Sequence, residues 1–97
     1  MSNSKLHVAE HDELFEAVLA LETIDDCYAF FEDLCTVKEI ISLAQRWQVA
    51  KLRRAGESYD AIVEKTGAST ATVSRVKRSL VYGADGYNRV LDRLDKK

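Results

Sequence analysis

Gly67 is the tightest constraint on how this chain can fold, because it stands between two helical patterns with only two or three residues to spare. Tyr59, Ile62 and Val63 recur at helical spacing before it, and Val73, Val76 and Leu80 fall at i, i+3 and i+7 after it. Ser58 is placed to cap the first pattern, since its hydroxyl can accept from the free amides of a first turn. Ser69 or Thr70 offers a second cap directly beyond the glycine. Glycine tolerates positive φ, so one helix can stop and the next can start across a sharp corner. The second helix then turns Val73, Val76 and Leu80 inward and leaves Ser69, Thr70, Ala71, Ser74, Arg75 and Arg78 facing outward. Residues 58–80 therefore read as a helix-turn-helix whose second member is a recognition helix.

The rest of the chain follows the same periodicity. It holds no proline, and its four glycines fall between helical patterns, which predicts an all-α fold. A helix over 10–21 carries Leu14, Phe15, Ala17, Val18, Leu19, Ala20 and Leu21, an apolar surface too wide for one neighbour. A second, over 24–35, puts Ile24, Cys27, Tyr28, Phe31, Leu34 and Cys35 on one stripe behind Thr23 and Asp26, which resemble a capping box. Thr36 and Glu39 form another such box at the head of the longest helix, which runs to Gly56. A final amphipathic helix over 85–95 starts behind Asp85 and carries Tyr87, Val90, Leu91 and Leu94.

One domain of 97 residues is expected, with a disordered arm over 1–9, dimerisation helices over 10–56, the helix-turn-helix over 58–80 and the last helix over 85–95. A chain this short buries only about 60–65% of the surface it exposes when unfolded. The excess apolar faces of the first two helices therefore predict a homodimer that completes its core with a second copy. Two-fold symmetry would set two recognition helices roughly 34 Å apart, one per successive major groove, on a palindromic operator. No stretch approaches the ~18 apolar residues of a membrane helix and the N-terminus lacks a signal-peptide core, so no membrane partner and a cytoplasmic location are expected. Cys27 and Cys35 lie roughly 12 Å apart along one helix, too far to bridge, and are read as small buried hydrophobes.

Charge is distributed unevenly. The formal net charge is −2, but residues 1–35 hold nine acidic residues and one lysine, a net of −8, while residues 36–97 hold seven acidic and thirteen basic, a net of +6. Between Lys65 and Ala84 there is no carboxylate, so Lys65, Arg75, Lys77 and Arg78 read as an unopposed cationic surface. Double-stranded DNA is the partner this implies. Thr70, Ala71 and Ser74, near the start of the recognition helix, are placed to meet base edges through hydroxyls and methyl groups. Ser69 and Arg75 belong to the same groove-facing surface. Lys77 and Arg78 a turn further on, with Arg53 and Arg54 at the end of the third helix, suit phosphates. Thr72 can face DNA or bond within its own helix.

Other chemistry finds little support. His7 and His11 sit at i and i+4 without a third ligand at motif spacing, so no metal is expected. No phosphate loop, nucleophile elbow or catalytic relay appears, so neither enzymatic activity nor a cofactor is expected. Trp47 and the tyrosines read as core or interface. The competing class is a helical protein–protein interaction module, in which the acidic helices dock on a partner and the helix-turn-helix serves packing alone.

CTVKEIISLAQRWQVAKLRRAG followed by SYDAIVEKTGASTATVSRVKRSL resembles the Trp-repressor superfamily, in its YerC/YecD Trp-repressor-related branch, over roughly residues 10–94. The string GASTATVSR, residues 67–75, is its most specific part. The resemblance implies an intertwined all-helical homodimer that regulates transcription. It also implies a ligand pocket: Arg46 and Arg75 match two arginines that sandwich the indole of bound tryptophan, and Ser79 matches a serine that helps hold it. Val76, however, stands where the repressor has a glycine that leaves room for the ligand, so the space is expected to be filled and tryptophan not to act as corepressor. A ligand-responsive repressor is the alternative. Asp60 stands where the repressor presents a basic residue to DNA, which puts that contact in doubt.

Overall fold

The computed structural model describes residues 8–96; His7 and most of the arm expected over 1–9 lie outside them. The described residues form six helices: α1 (Ala9–Leu19), α2 (Ile24–Leu34), α3 (Val37–Arg54), α4 (Tyr59–Thr66), α5 (Thr70–Tyr82) and α6 (Gly86–Asp95). They contain no strand. The protein is all-α, as the periodicity predicts.

The chain divides into two compact units, one ending at Ile40 and one starting at Ile41. In the first, α1 starts one residue before the expected Glu10 and stops two short of Leu21. Thr23 caps α2 by accepting the Asp26 amide at 3.0 Å. The reciprocal half of that box is displaced by one residue, because the Asp26 carboxylate accepts from the Glu22 amide at 3.1 Å instead of from Thr23. At the head of α3 the box is complete. Thr36 Oγ1 accepts the Glu39 amide at 3.1 Å, and Glu39 Oε1 accepts the Thr36 amide at 2.8 Å. Those bonds from Thr36, the backbone amide ahead of the hydroxyl, hold the Glu39 carboxyl below its ordinary value, with desolvation opposing.

No residue of α1 or α2 is buried. Phe15, Leu19, Ile24 and Tyr28 are all exposed, Leu19 at 84% and Ile24 at 75%. Cys27, expected to be a buried hydrophobe, is exposed, and Cys35 is only partly covered.

The second unit holds the core. Val49 and Ala50 of α3, Ile62 of α4, Ala68 at the corner, and Val73 and Val76 of α5 form one buried cluster, with Leu52, Tyr59, Val63, Leu80 and Tyr87 packed against it. Full burial of each valine or isoleucine side chain contributes roughly 1.5–3 kcal/mol. α3 ends in a Schellman turn: Gly56 takes φ +91°, its amide bonds Arg53 O at 3.1 Å, and the Glu57 amide bonds Leu52 O at 3.0 Å. α5 packs against α4 on one side and α6 on the other. The Trp47 and Tyr87 rings stack at 6.3 Å between centroids, tying α3 to α6. Asp85 precedes α6 as expected, but at φ +69° and without capping a backbone amide. Its carboxylate accepts from Asn88 Nδ2 at 3.2 Å. No helix among the described residues is long and apolar enough to cross a membrane.

Candidate nucleic-acid interface

The corner between α4 and α5 is built from local bonds. Ser58 caps α4 by accepting the Ala61 amide at 3.2 Å. Gly67 ends α4 at φ +69°, and its amide bonds Val63 O at 2.8 Å. A side chain there would meet no neighbour, so conformation alone calls for glycine. Thr66 closes the turn from inside: its hydroxyl donates to Ile62 O at 2.8 Å and accepts the Ala68 amide at 3.1 Å. Ser69 then caps α5 by accepting the Thr72 amide at 3.1 Å. Only Gly67, Ala68 and Ser69 separate the two helices.

This corner fixes which face of α5 reaches solvent. Val73 and Val76 are buried and Leu80 is partly buried, while Ser69, Thr70, Ala71, Ser74, Arg75, Lys77 and Arg78 are all exposed. Among the described residues, Arg75, Lys77 and Arg78 have no ion-pair partner. Two shallow clefts flank the helix and share Lys77 and Val81. One, of about 210 Å³, is also lined by Arg53, Arg54, Leu80 and Asn88, and the other, of about 270 Å³, by Ser74, Arg78 and Tyr82. Arg53 and Arg54 at the end of α3 thus join Lys77 around one cleft, and Lys77 joins Arg78 around the other.

Two cations of the expected surface have partners. Lys65, expected to stand unopposed, pairs with Glu57 Oε1 at 2.8 Å. Arg54 is tied to α6, where Nη1 donates to the Asn88 carbonyl at 2.9 Å and Nη2 pairs with Asp92. The bond to Asp92 raises the guanidinium above its ordinary value, against some desolvation and with help from the charges of Asp92, Asp95 and Asp85. Arg53 is freer, with one long bond of 3.5 Å to Glu57 O. Glu57, Asn88 and Asp92 have no local sequence signal as partners of these cations.

The residues expected around a ligand have different surroundings among the described residues. Ser79 opens on a cleft of about 490 Å³ with Trp47, Ala84, Gly86, Tyr87 and Val90. Arg46 Nη2 instead donates to Ser42 Oγ at 3.1 Å, Arg75 is exposed, and Val76 is 1% exposed inside the core.

This arrangement of helices has close counterparts. The family model for the Trp repressor protein matches residues 9–95. The chain belongs to the Trp repressor family. Within that family it is 53% identical over 94 residues to the uncharacterized protein YerC of Bacillus subtilis (strain 168), covering 97% of this chain and 90% of YerC. Two solved structures superimpose closely. A candidate Trp repressor from Staphylococcus aureus has a TM-score of 0.92 at 55% identity, over 100% of this chain and 97% of that one. A TrpR-like protein from Eubacterium eligens gives 0.91 at 56% identity, over 96% of each chain. Val76 lies inside the core, and Asp60 sits exposed in the first turn of α4.

Proposed function

We propose that the protein is a homodimeric, sequence-specific DNA-binding transcriptional regulator of the cytoplasm that works through α4 and α5 as a helix-turn-helix without tryptophan as corepressor. The observation that carries this is the outer face of α5, which presents Ser69, Thr70, Ala71, Ser74, Arg75, Lys77 and Arg78 to solvent with no carboxylate between Lys65 and Ala84. A helix that served packing alone would have no use for a carboxylate-free, unpaired cationic face. Thr70, Ala71 and Ser74 meet base edges, while Arg53, Lys77 and Arg78 meet phosphates. A phosphate contact by Arg54 would compete with its bonds to Asn88 and Asp92. The homodimer is supported by α1 and α2, which have no fully buried residue and leave Phe15, Leu19, Ile24 and Tyr28 exposed, a face that a second copy covers most economically. Independence from tryptophan is supported by the burial of Val76, which leaves its position closed to an indole.

The direct test is selection of duplexes from a random pool by the purified protein. Enrichment of a palindromic sequence with half-sites about one helical turn apart is expected. Failure to enrich any sequence would favour the protein–protein interaction module.

A further inference from the structure

We propose that Asn88 is a positioning residue that holds the far end of α5 at a preset angle, so that the DNA-reading helix is aimed by the chain itself. This rests on the function proposed above and concerns a residue outside the face assigned to DNA. The side chain of Asn88 is partly buried and makes bonds in two directions. Its Nδ2 donates to Leu80 O at 3.1 Å and to Asp85 Oδ1 at 3.2 Å. Leu80 O is one of the four terminal carbonyls of α5 that no amide of the same helix can satisfy. Asn88 supplies that missing donor from another element.

Asn88 is itself held from α3. Arg54 Nη1 donates to the Asn88 carbonyl at 2.9 Å and to its Oδ1 at 3.4 Å, while Nη2 pairs with Asp92 one turn further along α6. One planar guanidinium thus grips two points of α6, and Asn88 passes the restraint to α5. The opposite end of the pair is pinned from the same helix: Gln45 Nε2 donates to Thr66 O, the last carbonyl of α4, at 3.1 Å. Val76 is buried in the cluster shared by α3, α4 and α5, so apolar packing adds to these two ties. Lys77 and Arg78 lie within a turn of Leu80, so loosening that end displaces them and blurs the register of Thr70 and Ser74 on bases.

The test uses the full chain with Asn88→Leu, which keeps the branching and the charge while removing the N–H donors and the Oδ1 acceptor, and Asn88→Ala as a second variant. Three quantities are read: dimer mass, amide hydrogen exchange over residues 79–84, and affinity for a wild-type-selected duplex against a scrambled one. Expected is an unchanged dimer, exchange at least tenfold faster at the end of α5, and about a tenfold loss on the selected duplex with less than a twofold change on the scrambled one. An unchanged ratio between the duplexes, or an equal fall on both, overturns the positioning role and leaves Asn88 a packing residue. A wild type that enriches no duplex removes the DNA function alone. The tie from Asn88 to the end of α5 is then decided by exchange, and unchanged protection over 79–84 overturns it.

Discussion

The Ser69 hydroxyl makes two bonds to Thr72: it accepts the Thr72 amide at 3.1 Å and donates to Thr72 Oγ1 at 3.1 Å. This settles what Thr72 does within its helix, since its hydroxyl belongs to the cap of α5. It also places the start of the exposed polar face of α5 under the control of one serine. Ser69→Ala should cost about 1 kcal/mol of stability, as loss of a hydroxyl cap commonly does. Urea denaturation measures it, and a change within a few tenths of a kcal/mol would mean that the cap is not holding the helix.

Val76 has a second consequence besides closing the core. Val76→Gly should destabilise the protein by roughly 3 kcal/mol, about 2 from the lost buried group and its cavity and about 1 from glycine inside a helix. Calorimetry with tryptophan should give no binding heat on the wild type. Clear wild-type binding would contradict the closed position.

Glu39 gives a pH signature. Its carboxyl is held below the ordinary value of 4.5 by hydrogen bonds from Thr36, so the folded state binds that proton less readily than the unfolded one. The stabilisation is therefore present in full above about pH 4.5 and is lost as pH falls through the lower folded value. Glu39→Gln keeps an acceptor without titrating. The stability difference between wild type and this variant should shrink on acidification below pH 4.5 and stay constant above it. A difference that grows on acidification would reverse the sign argued here.

Division of labour on α5 predicts two kinds of variant. Arg78→Ala should weaken binding to all duplexes alike and flatten the salt dependence. Thr70→Ala or Ser74→Ala should change base preference, by ~1–3 kcal/mol at the position read. Side-by-side titrations on selected and single-base-changed duplexes separate the two. Equal effects from all three substitutions would dissolve the distinction.

Caps and corners are legible in this chain because their chemistry spans three or four residues. Thr36 with Glu39, Ser58, Gly67 and Ser69 each announce a helix end by residue type and spacing alone, and each does so in the structure. The stripe of Val73, Val76 and Leu80 is legible for the same reason, and with it the outward face of α5. Less legible is whatever depends on distant pairing. Arg54 meets Asn88 and Asp92 across 34 and 38 residues, so its commitment to α6 leaves no local trace, and a basic pair at a helix end reads simply as two cations. Lys65 and Glu57 illustrate it at shorter range, since a carboxylate eight residues back falls outside a carboxylate-free window and still neutralises its edge. Cys27 shows the converse: its stripe is read as buried, but its thiol is exposed and Cys35 is only partly covered.

The most direct test of DNA engagement is affinity for a labelled duplex measured across rising salt. Binding through Arg53, Lys77 and Arg78 of both subunits predicts that log affinity falls linearly with log salt, with a slope of about −5 from six neutralised phosphates. Weak binding that does not change with salt would contradict it, and with it the assignment of α5 to DNA.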